Sequence, residues 1–409
     1  MPSPFLEPLT LPNGQVIANR IAKAAMEENL AASGQVPSAA HRELYRSWAG
    51  GGAGLVLTGN VMVAADHVTS PHGIVLDDKQ DLTPFVTWAR SSVSRTTQLW
   101  MQINHTGRLV RNDLGVTPLA PSSIGARGPA GFWAVPTAMS EADIERAIEQ
   151  FATTAALAAL AGFSGVQLHG AHGYLISQFL SPLSNQRSDR WGGDLAGRSR
   201  FLFETLRAVR EALPLHTALG LKLNTADFQR GGFDQQDAAE IVSELNTAGL
   251  DLLEFSGGNA ESPAMHGTGL PESSRQREAY FLELVGDLVG IAEMPLMLTG
   301  GVSSRRGVEQ VLGSGIDMVG IGTALAAIPD LPLRWAHGEQ RFSGPEHPVG
   351  ASAPTRSSQK QAWVRAAMKS QSAGTGFDHS NIDLEACSRV DARRRELRIE
   401  QYRSWLSAR

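Results

Sequence analysis

Cysteine is almost missing from this chain: Cys387 is the only one in 409 residues. That excludes an internal disulfide, an iron–sulfur cluster ligated within the chain and a cysteine-based zinc cage. Charge is sparse as well. Charged residues make up 19% and the net charge is −5, against roughly 25% charged in average soluble proteins, so nothing draws the chain to nucleic acid and no such partner is expected. Long apolar runs are absent too; no window reaches the roughly 18 uninterrupted apolar residues of a membrane span. The opening Met1-Pro-Ser-Pro-Phe-Leu-Glu-Pro8 has neither a basic leader nor an apolar stretch behind it. A cytoplasmic protein without a membrane partner is expected.

What the chain does have is a recurring pair of patterns. Short apolar runs at 20–26, 55–58, 98–103, 166–168, 219–223, 252–255, 296–299 and 318–321 are each followed by a helical periodicity, as in Ile144, Ile148 and Phe151 behind a capping box of Ser140 and Asp143. Eight strands buried on both faces and alternating with helices predict an α/β fold, an eight-stranded parallel (β/α)8 TIM barrel, over residues 1–340. The longest connection, 104–139, is rich in Gly, Pro and Ser, carries Arg108 and Arg111 and ends in Gly131-Phe-Trp133; a loop of that length is expected to fold over the barrel mouth as a lid. Residues 341–409 read as a C-terminal helical extension, with a linker over 343–358, one helix near Gln359–Lys369 and another from about Asp391. The terminal helix is expected to pack on the barrel or on a neighbouring subunit of a homo-oligomer.

The chemistry gathers after the fourth strand, at Gly165-Val-Gln-Leu-His169-Gly-Ala-His172-Gly-Tyr174. Catalytic side chains of parallel barrels sit at such strand ends. Two imidazoles and a phenol placed together suit a substrate carbonyl that is first polarised and then protonated. Zinc is disfavoured, because helical zinc pairs want a spacing of four and only one cysteine is present to help, so no metal is expected. At the seventh and eighth strand ends, Thr299-Gly300-Gly301 and Gly320-Ile321-Gly322-Thr323 offer backbone N–H groups where barrels build phosphate sites. The segment Lys23-Ala24-Ala25-Met26 is small and apolar enough to lie against a flat ring, with Lys222 supplying a positive charge beside it. Together these imply a phosphorylated planar cofactor.

These residues resemble the old yellow enzyme family of FMN-dependent NADH:flavin oxidoreductases over roughly residues 4–335. The likeness is carried by Leu11-Pro-Asn-Gly with Asn19-Arg20-Ile21, by Gln102-Ile-Asn-His-Thr-Gly-Arg108, by His169-Gly-Ala-His-Gly-Tyr-Leu175 with Phe179-Leu-Ser-Pro and Asn185-Gln-Arg-Ser-Asp-Arg-Trp-Gly-Gly193, and by Gly322 with Asp330-Leu-Pro. The resemblance implies an ene-reductase using FMN and either NADH or NADPH, acting on a small electrophilic alkene. It implies that Ala24, Ala25 and Met26 line the flavin, that Gly59 lies near it, that Gln102 meets its pyrimidine edge and that Lys222 stabilises negative charge at N1. Gly301, Gly322 and Thr323 would hold the phosphate. His169 and His172 would bind the substrate oxygen, and Tyr174 would donate the proton.

Three positions depart from the family's pattern. Thr323 replaces a phosphate-binding arginine, leaving Arg305 and Arg306 as alternative sources of charge. Glu27 stands where a threonine, serine or cysteine tunes the flavin, and Asn29 where some members contact substrate through a tyrosine. Other readings stay open: an FMN-dependent amine dehydrogenase or demethylase on the same barrel, a flavin-binding protein without turnover, and a flavin-free phosphate-binding barrel such as an aldolase.

Overall fold

A computed structural model describes residues 3–92, 94, 96–262, 279, 281–339, 353–378 and 383–409. Eight parallel strands close on themselves: β1 (Ile21–Lys23), β2 (Leu55–Leu57), β3 (Gln98–Asn104), β4 (Gly165–Gly170), β5 (Ala218–Asn224), β6 (Leu252–Ser256), β7 (Leu296–Thr299) and β8 (Met318–Ile321). Each pairs with the next, and β8 returns to β1 through Val319 opposite Ile21. The eight-stranded barrel read from the apolar runs is therefore the fold. Val61–Met62 pairs with β3 through Ile103 and Asn104, and Ile74–Val75 pairs in turn with Val61–Met62, extending the sheet at that point.

Burial on both faces explains why these strands read as continuous apolar runs. Along β5, Leu219, Leu221 and Leu223 face the helices, while Ala218, Gly220, Lys222 and Asn224 alternate into the barrel, and all seven residues are buried. The surrounding helices are α1 (Ala39–Gly50), α2 (Thr83–Ser91), α3 (Glu141–Ala161), α4 (Leu195–Ala212), α5 (Gln235–Leu245), α6 (Leu282–Val289) and α7 (Arg305–Leu312). Their starts follow local chemistry. Ser140 accepts from the Asp143 N–H and Asp143 answers at the Ser140 N–H, the expected capping box, and α3 ends at Gly162 with φ 99°.

Two C-terminal helices complete the molecule, α8 (Ala353–Ser372) and α9 (Leu384–Ser407). α8 packs against α1 and against the short helix Thr323–Ala327 that follows β8. Trp363, fully buried, anchors it, and burying an indole removes 150–250 Å² from water, roughly 4–6 kcal/mol at 25 cal/mol per Å² before entropy is counted. Three boundaries differ from the sequence expectation. The first strand stops at Lys23 instead of reaching Met26. The expected linker lies outside the described residues over 343–352, and its remainder is already helical, because Pro354 falls in the first turn where its missing N–H does no harm. The last helix begins seven residues earlier than Asp391, capped by Asp383 accepting from Glu385 and Ala386 N–H. No helix among the described residues is long and apolar enough to cross a membrane.

Candidate active site

The barrel interior is layered. At the N-terminal end Ala22, Leu55, Leu57, Trp100, Ala218, Leu252, Met297 and Met318 pack together beneath the hairpin residues Leu9, Leu11 and Ile17. Trp100 fills this plug only because its neighbours lack side chains: a Cβ on Gly165 would lie 2.5 Å from the indole, and one on Gly220 3.0 Å. Above the plug the interior turns polar. Gln102 donates to Gln167 (2.8 Å), Gln167 donates to Glu254 (2.7 Å), and Lys222 donates to the other Glu254 oxygen (2.6 Å). The positive charge expected of Lys222 is thus paired with the Glu254 carboxylate, in a pocket where both are nearly inaccessible.

His169, His172 and Tyr174 meet at the end of β4. The His169 ring lies 4.9 Å from that of His172 and 4.8 Å from that of Tyr174, both edge-on. The Ala171 N–H donates to His169 Nδ1 (3.3 Å), which puts the imidazole proton on Nε2 and makes that atom a donor. Burial, then the adjacent Lys222 charge, holds the His169 pKa well below its usual 6.5, so the ring is neutral. His172 sits at φ 63°, a left-handed conformation unusual for a non-glycine residue. It is pinned there by its N–H to Asn224 Oδ1 (3.2 Å) and by Nε2 at 2.8 Å from Ser256 Oγ. Tyr174 opens the short helix Leu175–Leu180 and has no hydrogen-bond partner for its hydroxyl among the described residues. Burial and the nearby Glu27 charge push its phenol well above 10.

Across the mouth, the β1, β7 and β8 ends make a surface of small groups. Ala24 continues the pairing with its N–H to Ile321 O (3.0 Å), and a Cβ on Gly322 would rest 3.6 Å from Met26 Sδ. Gly59 tolerates no side chain, because its Cβ would lie 2.3 Å from Met26 O where the chain crosses. Ala25 packs at the edge of the apolar plug, and Lys23 points outward behind the barrel, 4.2 Å over the Trp48 ring. Gly300 and Gly301 take φ 144° and 73°, and Thr323 is the first residue of its short helix. Two buried polar side chains have no partner among the described residues: the amide of Asn104 at the end of β3 and the hydroxyl of Thr299 at the end of β7. A hydroxyl left unpaired beside Ala24 and Gly320, with an unpaired amide at another strand end of the same barrel, fits a planar, polar, phosphorylated ring such as FMN. Of the substitutes for the missing arginine, Arg305 is committed to Glu309 (2.9 Å) and leans over Phe5, while Arg306 is exposed.

The rim holds the remaining candidates. Glu27 accepts a hydrogen bond from Thr69; burial raises its carboxyl pKa, against the opposing pull of Thr69, Arg365 and Arg395. Asn29 adopts φ 55° with its Oδ1 buried and unpaired. Within 104–139, Arg108 donates to Glu261 (3.1 Å), Ile124 O and Gly125 O, and Arg111 lies 4.6 Å over Phe132. α9 then ties three rim loops together: Arg398 donates to Ala31, Ala32 and Pro71 carbonyls, Tyr402 to Ala65 O (2.9 Å), Arg395 to Asp113, and Arg409 to Asp77. Sequence reading did not single out the side chains of Asn104, Gln167, Asn224, Glu254 and Ser256, and took Thr299 only as part of a backbone phosphate loop. A signal existed, since β3 to β6 each carry two polar residues spaced by two, and that spacing points both into the barrel.

A model of the NADH:flavin oxidoreductase / NADH oxidase family matches residues 4–341. The chain is 35% identical over 353 residues to the NADH-dependent flavin oxidoreductase iliE of Hypocrea jecorina, covering 80% of this chain and 87% of that protein. It is also 35% identical over 355 residues to the protein of the same name from Neonectria sp., of which it spans only 46% while 80% of this chain is covered. The old yellow enzyme homologue from Zymomonas mobilis superposes with a TM-score of 0.71 over 86% of this chain and 98% of its own, at 22% identity, a likeness of fold.

Proposed function

The chain belongs to the NADH:flavin oxidoreductase / NADH oxidase family, and from that premise we propose that it uses NADH or NADPH and FMN to reduce the activated C=C bond of an α,β-unsaturated carbonyl or nitro compound. Bound FMN would supply the hydride relay between nicotinamide and alkene. Ala24, Ala25, Met26 and Gln102 would hold its ring, with Gly301, Gly322 and Thr323 at its phosphate.

The observation that carries this reading is the pairing of a neutral donor with a protonated phenol. His169 presents Nε2–H toward the mouth, 4.8 Å ring to ring from Tyr174. An acceptor oxygen hydrogen-bonded to His169 gains the most when negative charge builds on it, a difference of roughly 3 kcal/mol per well-placed donor. His172 orients the same oxygen, its ring steadied by Ser256. Tyr174 then gives its proton to the carbon next to the electron-withdrawing group, and Glu27 and Asn29 shape the substrate side of the rim. The enclosing loops keep bulk water from competing for that carbon.

An amine-oxidising role would need Glu27 as an anion facing a cationic substrate. Its carboxyl is instead already engaged by Thr69, with Arg365 and Arg395 nearby to answer its charge. Purified protein with a flavin absorption spectrum that consumes NAD(P)H only when an enone is added supports the proposal; bleaching by an N-methyl amine without nicotinamide would replace it with the oxidative reading.

A further inference from the structure

The polar layer beneath the mouth has a direction. Gln102 and Gln167 are amides, each able to present either its carbonyl or its N–H groups, and alone they could both turn over without losing a bond. Glu254 removes that freedom. A carboxylate only accepts, so Gln167 must aim its N–H at Glu254 Oε2 (2.7 Å), which aims its carbonyl at the Gln102 N–H (2.8 Å). Gln102 is thereby held with its own carbonyl unpaired among the described residues, an acceptor suited to a ring N–H such as that of the flavin pyrimidine.

Glu254 also accepts from Lys222 at 2.6 Å, with side-chain exposures of 3% for Lys222 and 0% for Glu254. A lone cation there would strongly favour the anionic, reduced ring; the pair presents almost no net charge. Either partner left alone would be an uncompensated buried charge.

We propose that Glu254, through its contacts with Gln167 and Lys222, is the positioning residue that sets both the hydrogen-bond polarity and the charge under the flavin, and so the relative affinity for oxidised and reduced FMN. This rests on the FMN reading above. The test is the midpoint potential of bound FMN in wild type, E254Q and the double variant K222Q/E254Q, with FMN affinity followed by quenching of flavin fluorescence. E254Q is expected to favour the reduced form at least tenfold more than wild type, a rise of about 30 mV for a two-electron couple, and the double variant to return to within about threefold, since it restores a neutral layer. Should E254Q not hold FMN, K222Q carries the same test with opposite sign: its lone carboxylate lowers the potential and the double variant recovers it. An unchanged or lowered potential in E254Q, or a double variant that keeps the single variant's shift, overturns the role of Glu254 while leaving FMN binding intact. Wild-type protein that takes up no FMN removes the cofactor reading and this inference with it.

Discussion

Tyr174 keeps its proton because burial and a neighbouring carboxylate both disfavour the phenolate, which suits an acid used once per turnover. Tyr174→Phe is expected to leave reduction by NAD(P)H intact and to slow reoxidation by an enone 10²- to 10⁴-fold, the usual worth of general acid catalysis. Stopped-flow traces of the two half-reactions decide it, and equal slowing of both would count against the assignment. Glu27 invites a second comparison. A full charge about 6 Å from the ring at an effective dielectric of about 20 is worth about 3 kcal/mol, roughly 60 mV for two electrons. The bond from Thr69 and the nearby Arg365 and Arg395 answer that charge, so Glu27→Gln is expected to move the FMN midpoint potential by under about 20 mV on that conversion. A rise near the full Coulomb value would show an ionised, ring-facing Glu27. At this scale the sequence was legible where a motif was dense, as in His169–Tyr174. It was opaque where function is split between strands: nothing near Lys222 announces that Glu254, 32 residues on, neutralises it.

The strands were readable because each is buried on both faces, and apolar runs survive on the outward side even where the inward side turns polar. Helices α8 and α9 were harder to delimit. α9 docks through Arg395, Arg398, Tyr402 and Arg409 hydrogen bonds to loop backbone and acids more than through an apolar stripe, so periodicity marks its ends poorly. Packing inside the barrel was not readable either, for the match of Trp100 to Gly165 joins residues 65 apart that nothing local connects. Gly165→Ala sets a methyl against a rigid indole at 2.5 Å. The expected cost is about 1–3 kcal/mol, as for other overpacked cores. Urea denaturation followed by tryptophan fluorescence measures it, and an unaltered midpoint would mean that the plug yields more readily than its burial suggests.

For the molecule as a whole, several imidazoles are buried in the neutral form. The His41 pKa falls from 6.5 to about 4, mainly by burial, and His105 and His169 lie well below their usual value for the same first reason. The unfolded chain takes up those protons near pH 6.5 while the folded one refuses them, so between pH 6.5 and about 4 the unfolded state binds more protons. Stability is complete above that window and lost as pH falls through it. His41 alone accounts for roughly 3 kcal/mol at about 1.4 kcal/mol per pH unit. Urea midpoints at pH 7 and 4.5 are expected to differ accordingly, and His41→Gln to narrow the gap; a variant with the wild-type gap would clear His41. The tie made by α9 bears on how the chain reaches this state. Its bonds join residues 282 to 367 positions apart, Arg395 to Asp113, Arg398 to the loops after β1 and β2 and Arg409 to Asp77. Contacts so remote in sequence incur their loop-closure entropy before they return any energy, and these hydrogen bonds gain full strength only once the loops they hold are in place, so the rim is expected to assemble after the barrel. On refolding, far-UV circular dichroism should recover ahead of the ability to quench added FMN, and the interval between them is the time the terminal helix takes to find its three loops.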